Sequence, residues 1–264
     1  MLDTGELCQM QNDKVTIVIP TLQKNKIILN MLIDSLDSDN SVDEIILIDN
    51  SLQGFEHKSG KLQVITPEEN LYVNPSWNLG VETARNQIIG LLNDDIIIPE
   101  NFCRDVAAKI TPEMGIVGMN GKRIEEIPEN ASIPPREEIS LEPASYMDWY
   151  FGIVLFFYKS SYCKIPEDIK IVYGDSWIFT RSHKAKKKNQ RICGATIYHY
   201  GSLSSGGASL HPIAQNDSKV YKNLTVKWYD RFFSYEELWD YHKLRILGLT
   251  FRIKKKDTLG RHYD

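Results

Sequence analysis

Short apolar runs alternate with amphipathic stretches along the first half of the chain. Val15–Ile19 (VTIVI) is β-branched, ends at Pro20 and reads as a buried strand. Ile27, Ile28, Met31, Leu32 and Leu36 recur at helical spacing and predict a helix over Lys26–Leu36. Glu44–Ile48 and Leu62–Ile65 read as second and third strands. Asn74–Asn86 has helical character, with Pro75 in the first turn and Asn74 as its N-cap. Ile88–Leu92 is a fourth apolar strand, Glu100–Ile110 a helix behind Pro99, and Gly115–Met119 a fifth strand. Strands apolar on both faces, separated by helices, predict an α/β fold with a mostly parallel central sheet flanked by helices.

The second half is less regular. Residues 121–145 are rich in Glu and Pro and read as a long connection. Trp149–Tyr158 (WYFGIVLFFY) restores a strand signal, Gly174–Arg181 opens a helix, and Arg191–Tyr198 is a late strand. Gly201–Ser209 reads as a flexible loop. From Ser218 the aromatic pattern reads as helical, which predicts a catalytic domain over 1–210 and a helical, basic and aromatic extension over 211–264.

Composition adds little except in its distribution. The chain has 264 residues and a net charge of −4. Residues 1–180 carry 14 Lys and Arg against 28 Asp and Glu, whereas residues 181–264 carry 17 against 7. The basic residues gather at 184–191 and 252–256, with Tyr221, Trp228, Phe232, Phe233 and Trp239 between them. A solvated face, an anionic membrane surface and an anionic acceptor are all open readings of this segment; no nucleic-acid-binding module is visible. No apolar run approaches the ~18 residues of a membrane span, and the acidic N-terminus lacks a secretory leader pattern, so a cytoplasmic or peripheral inner-face location is expected. Cys8, Cys103, Cys163 and Cys193 are widely spaced and read as reduced thiols.

Chemistry is expected at the carboxyl ends of the strands, where open α/β sheets bind ligands. Three ends carry polar residues: Pro20-Thr21, Asp49-Asn50-Ser51 and Asn93-Asp94-Asp95. Adjacent carboxylates such as Asp94 and Asp95 repel unless a cation or hydrogen-bond donors offset them. Mg²⁺ or Mn²⁺, held by one or two carboxylates and substrate phosphates, suits that pair; a turn capping the strand is the simpler alternative.

Seven segments, VTIVIPTLQKN, DEIILIDNS, NLYVNPSWNLGVETAR, IIGLLNDDIIIPENF, DWYFGIVLFFYKSSYCKIPED, VYGDSWIF and HYGSLSS, stand in an order that resembles the family 2 glycosyltransferases of GT-A fold. The resemblance spans about residues 14–205, and NDSKVYKNLTVKW is similar to an Asp–Tyr–Lys–Trp pattern following the catalytic domain in many bacterial members. It implies an inverting transfer of sugar from a UDP- or dTDP-sugar to a glycan or lipid-linked acceptor in surface-polysaccharide or lipopolysaccharide synthesis, with a divalent cation as cofactor. Pro20, Thr21, Asp49, Asn78 and Gly80 then match nucleotide-binding positions, with Asn74 and Trp77 on the same pocket. Asn93-Asp94-Asp95 matches the metal motif: Asp95 is the metal ligand, and Asn93 and Asp94 face the donor. Asp148, Trp149 and Gly152 match the segment facing donor sugar and acceptor, with Trp177 beyond them, and His199 completes the metal or pyrophosphate site. Asp175 matches the catalytic base, although members usually carry Glu-Asp where this chain has Gly174-Asp175. Two other functions compete. A sugar nucleotidyltransferase needs a glycine-rich loop after the first strand, which TLQKNK lacks; a non-catalytic sugar-binding protein is the other.

Overall fold

The computed structural model describes residues 14–119, 122–123, 132–144, 151–200, 210–225, 233–237, 241–247 and 249–254. The chain divides into two compact units, Met1–Ser218 and Lys219–Asp264.

In the first unit the expected strands form. They are β1 (Val15–Thr21), β2 (Val42–Asp49), β3 (Leu62–Ile65) and β4 (Ile88–Leu92), followed by the two-residue β5 (Ile96–Ile97). Then come β6 (Met114–Met119), β7 (Lys122–Arg123), β8 (Ser140–Pro143), β9 (Val154–Tyr158), β10 (Lys188–Cys193) and β11 (Tyr198–His199). Every residue of β1 and β4 is buried, as expected for strands covered on both faces. Among the described residues an eight-stranded sheet runs in the order β3-β2-β1-β4-β9-β6-β10-β8. The first four strands are parallel to one another. Strand β9 is antiparallel to both neighbours, β4 and β6.

Helix α1 (Lys26–Ser38) begins where the Asn25 side chain accepts the Ile28 N–H at 3.1 Å, and buries Ile28, Leu29, Leu32, Ile33 and Leu36. Helix α2 (Val73–Thr83) starts one residue before the expected N-cap: Tyr72 flanks it, and Asn74 lies inside the first turn with its side chain turned to another segment. Its glycine, Gly80, lets α2 lie against β1, since a Cβ there would sit 2.1 Å from Val18 Cγ1. Helices α3 (Phe102–Ala107) and α4 (Gly174–Lys184) follow.

The late strand expected over Arg191–Tyr198 is two separate strands, β10 and β11. Strand β11 leaves the large sheet and joins a small one in the order β5-β11-β7.

The C-terminal reading needs correction. Helix α5 (His211–Thr225) forms, but β12 (Phe233–Glu237), β13 (Tyr241–Ile246) and β14 (Leu249–Lys254) make an antiparallel sheet, not helices. Leu244, Ile246, Leu249, Phe251 and Ile253 alternate with Arg245, Thr250 and Arg252; that two-residue period is a strand signal, and β13 pairs antiparallel with β14. The abundance of aromatic residues concealed it. No helix among the described residues is long and apolar enough to cross a membrane. Cys103, Cys163 and Cys193 are free thiols.

Candidate functional site

The chain passes from β1 outward through β2 to β3, then returns to place β4 on the other side of β1. Such a reversal opens a crevice at the carboxyl ends of the two central strands. A cavity of about 630 Å³ lies there, lined by Pro20 from β1, Asn93, Asp94 and Asp95 after β4, Asn74 and Trp77 from α2, Gly152 before β9, 171–176 around the start of α4, and His199 from β11. That volume suits a small-molecule site.

The two central strands are tied at their ends. Thr21 Oγ1 donates to Asp94 Oδ2 at 2.6 Å and accepts from the Gln23 N–H at 2.8 Å. Burial pushes the Asp94 carboxyl up to about 6; the Thr21 donation opposes this and the Asp95 charge adds to it.

His199 reaches the acidic end through main-chain pairing. It stands opposite Ile96 in the β5–β11 ladder, and the Tyr200 N–H donates to the Asp95 carbonyl at 2.9 Å. This leaves Asp95 Oδ1 and His199 Nε2 3.1 Å apart. Neither buried atom has an aligned hydrogen-bond partner. Unpartnered buried polar atoms are rare in folded proteins. A carboxylate oxygen and an imidazole nitrogen at this separation fit two adjacent ligands of a Mn²⁺ or Mg²⁺ ion. No cluster of three such side chains occurs among the described residues, so the remaining ligands would be water and phosphate oxygens.

Asp175 occupies the first turn of α4. The Ser176 N–H donates to its Oδ1 at 2.7 Å. A Cβ on Gly152 would come within 3.3 Å of Oδ2, so the missing side chain keeps that oxygen open. Burial raises the pKa of this carboxyl, opposed by donations from Ser176 and the Gly152 amide. Helices α2 and α4 are both preceded by a tyrosine at positive φ, Tyr72 (φ 65°, ψ −176°) and the left-handed Tyr173 (φ 65°, ψ 4°), conformations that cost energy in non-glycine residues and recur at functional sites.

Pro20, Asn93, Asp94, Asp95, Gly152, Asp175, His199, Asn74 and Trp77 are brought together. Others are placed elsewhere. Thr21 borders a smaller cleft with Asn50 and Tyr72 and reaches the cavity only through Asp94. Asp49 is wholly buried off the cavity wall. Burial would raise its pKa, but donations from Ser51, Gln23 and Gly54 outweigh this and hold it below the usual carboxylate range. Asn78 is spent on the segment behind α2: it donates to the Ile165 carbonyl at 2.9 Å and accepts from Tyr162 Oη at 2.7 Å and the Ile165 N–H at 3.0 Å. The close approach permitted by Gly80 is to Val18, not to the cavity. Trp177 stands about 200° around α4 from Asp175; its Nε1 donates to the Lys164 carbonyl at 3.0 Å and Arg181 covers its ring at 4.0 Å. Asp148 and Trp149 lie outside the described residues. Val73, Ile171, Val172, Tyr173, Ser176 and Ala214 also line the cavity; being mostly apolar, they carried no chemical signal in the sequence.

The Glycosyl transferase family 2 profile matches residues 16–184. Among curated protein sequences none matches. The fold is similar to S. aureus TarS residues 1–349, with a TM-score of 0.53, 13% identity, and 83% of this chain and 77% of that one covered. For S. aureus TarS the values are 0.54 and 12%, with 91% of this chain and 60% of that one covered. For TarS 1–349 in complex with UDP-GlcNAc they are 0.55 and 12%, with 81% and 68% covered.

Proposed function

The chain belongs to glycosyl transferase family 2, and from that membership we propose that it transfers a sugar, with inversion, from a UDP- or dTDP-sugar to a hydroxyl of a glycan or lipid-linked acceptor in surface-polysaccharide or lipopolysaccharide synthesis. The observation that carries this reading is that Asp175, Asp94 and the Asp95–His199 pair share one cavity at the β1/β4 crevice. One of the similar folds was solved with UDP-GlcNAc, which supports a nucleotide-sugar donor.

Asp175 takes the proton from the acceptor hydroxyl as its oxygen attacks the anomeric carbon. The new C–O bond forms on the face opposite the departing phosphate, so the configuration inverts and the nucleoside diphosphate leaves with the old bonding pair. The raised pKa of Asp175 makes it a stronger proton acceptor than an exposed carboxylate. Gly152 leaves room for the acceptor oxygen beside it. Asp95 and His199 would hold a divalent cation, which when bound supplies positive charge to the diphosphate. Asp94, fixed by Thr21, faces the donor ribose or sugar.

The basic C-terminal unit is assigned to an anionic surface, such as the membrane that carries a lipid-linked acceptor. In β14 the exposed Leu249, Phe251 and Ile253 alternate with Thr250 and the basic Arg252, a composition suited to an interface.

The test is nucleotide release from a panel of UDP- and dTDP-sugars in excess Mn²⁺. Release by the wild type, lost in Asp175→Asn with UDP binding retained, is the expected result. Near wild-type turnover in Asp175→Asn overturns the base assignment. A flat trace across donors favours a non-catalytic sugar-binding protein.

A further inference from the structure

Asp217 on α5 is 0% exposed, and no step above uses it. Its Oδ1 accepts the Lys170 N–H at 2.9 Å; its Oδ2 accepts the N–H groups of Ile171 at 2.7 Å and Val172 at 3.0 Å. Three successive main-chain amides thus converge on one carboxylate. Successive N–H groups that point to one side form a concave anion site, and here the anion comes from the chain itself.

The clamped segment belongs to the cavity. Ile171 and Val172 are on its wall. The Lys170 carbonyl accepts the Asn74 N–H at 2.9 Å, and the Val172 carbonyl accepts Asn74 Nδ2 at 3.2 Å. The segment is therefore gripped by α5 through its amides and by α2 through its carbonyls. The next residue is the left-handed Tyr173, and Gly174 and Asp175 follow directly. A non-glycine residue persists in that region only where its surroundings over-determine it, and Asp217 supplies that constraint immediately upstream.

We propose that Asp217 is a positioning residue: by gathering the amides of Lys170, Ile171 and Val172 it sets the angle at which α4 presents Asp175 to the cavity. The inference rests on the reading of Asp175 as the base. Asparagine at this position offers one acceptor oxygen and opposes an N–H to the remaining amide, and alanine offers none, so the two variants form a graded series.

The test compares Asp217→Asn and Asp217→Ala with the wild type in thermal unfolding, amide hydrogen exchange, the carbon-13-detected titration of the Asp175 carboxyl, and turnover with the donor panel. The titratable groups that share the cavity with Asp175 are Asp94, Asp95, His199 and Tyr173, and their titrations are followed alongside. In Asp217→Ala the amides of 170–172 are expected to exchange at least about 100-fold faster. The Asp175 midpoint should fall toward the ordinary carboxylate value as water reaches it. A misplacement near 1 Å lowers kcat by about 100-fold, with UDP affinity nearly unchanged. Asp217→Asn is expected to lie between. If the unfolding midpoint falls while the Asp175 titration and the turnover per folded molecule stay put, Asp217 only stabilises the fold and the proposal is overturned; unchanged exchange at 170–172 overturns it equally. Should Asp217→Ala fail to fold, Asp217→Asn decides by the same criteria. The base assignment stands or falls separately, on turnover in Asp175→Asn.

Discussion

Placing a methyl group on Gly174 tests the packing that orients Asp175, the proposed base. An ideal Cβ there would lie 2.0 Å from Asn74 Oδ1, 2.6 Å from its Cγ and 3.1 Å from Trp77 Cζ3. To reach an ordinary contact near 3.5 Å, the Asn74 amide must retreat by roughly 1.5 Å. Asn74 is 1% exposed and is tied to Val172, so the retreat breaks that hydrogen bond or moves the segment leading into α4. Overpacking of this kind costs about 1–3 kcal/mol, and the lost hydrogen bond adds about 1 kcal/mol. Alanine recovers up to about 1 kcal/mol as a better helix residue than glycine. The balance is roughly 2 kcal/mol of destabilisation, or about 4–8 °C in Tm for a domain of this size. Because Asp175 is the neighbouring residue, turnover should fall by about 100-fold. The assay is a double-mutant cycle with Asn74→Ala, read by thermal unfolding and by nucleotide release. Removing the Asn74 amide relieves the collision, so the pair should show a coupling of about 1–3 kcal/mol. A Gly174→Ala protein more stable than wild type, turnover within twofold of wild type, or strict additivity in the cycle would each refute the reasoning. Gly174→Glu, which restores the family's usual Glu-Asp, should be more damaging than Gly174→Ala, for the same steric reason.

Other outcomes follow from the site. His199→Ala should leave UDP binding measurable but remove its enhancement by Mn²⁺, as read by calorimetric titration; enhancement equal to wild type would remove His199 from the metal pair. Asp94 is raised from an ordinary 3.8 to about 6 in the folded protein, so its ionisation opposes folding: the penalty is absent below pH 4, grows as pH rises through that interval, and is complete above pH 6. Asp94→Asn should therefore stabilise the metal-free protein at pH 7.5 by up to about 3 kcal/mol and give no gain at pH 4; a pH-independent effect in denaturant titrations would show that burial of this charge is not the cause. The C-terminal unit should float with liposomes containing anionic lipid, and Arg252→Glu should weaken that association; equal flotation with neutral lipid would argue against an electrostatic partner.

Much of the first half of the chain was legible because buried parallel strands must be apolar on both faces. VTIVI, EIILI and IIGLL therefore announce themselves, and the polar residues just beyond them become conspicuous. What could not be read depends on contacts between distant segments. His199 meets Asp95 because a two-residue strand pairs with Ile96 and Ile97, and nothing local to YHYG specifies that pairing. Asn78, Gly80 and Trp177 lie close in sequence to cavity residues, yet the side chains of Asn78 and Trp177 and the bare backbone of Gly80 serve packing behind the cavity. Helical geometry turns neighbours to different faces, so proximity along the chain is a poor guide there. The C-terminal unit was misread for another reason: alternation over a few residues was outweighed by aromatic content.

The reversal of β9 has a consequence for how such a site can change. Strand β9 is hydrogen-bonded to β4 from Ile88 to Leu92 and to β6 from Val117 to Met119. It therefore enters the sheet at the cavity edge, where its antiparallel neighbours β4 and β6 end. A change at Gly152, where the chain enters β9, therefore meets a sheet whose register is locked on both sides. The cavity wall can be altered at that point at little risk to the strands that carry the rest of it.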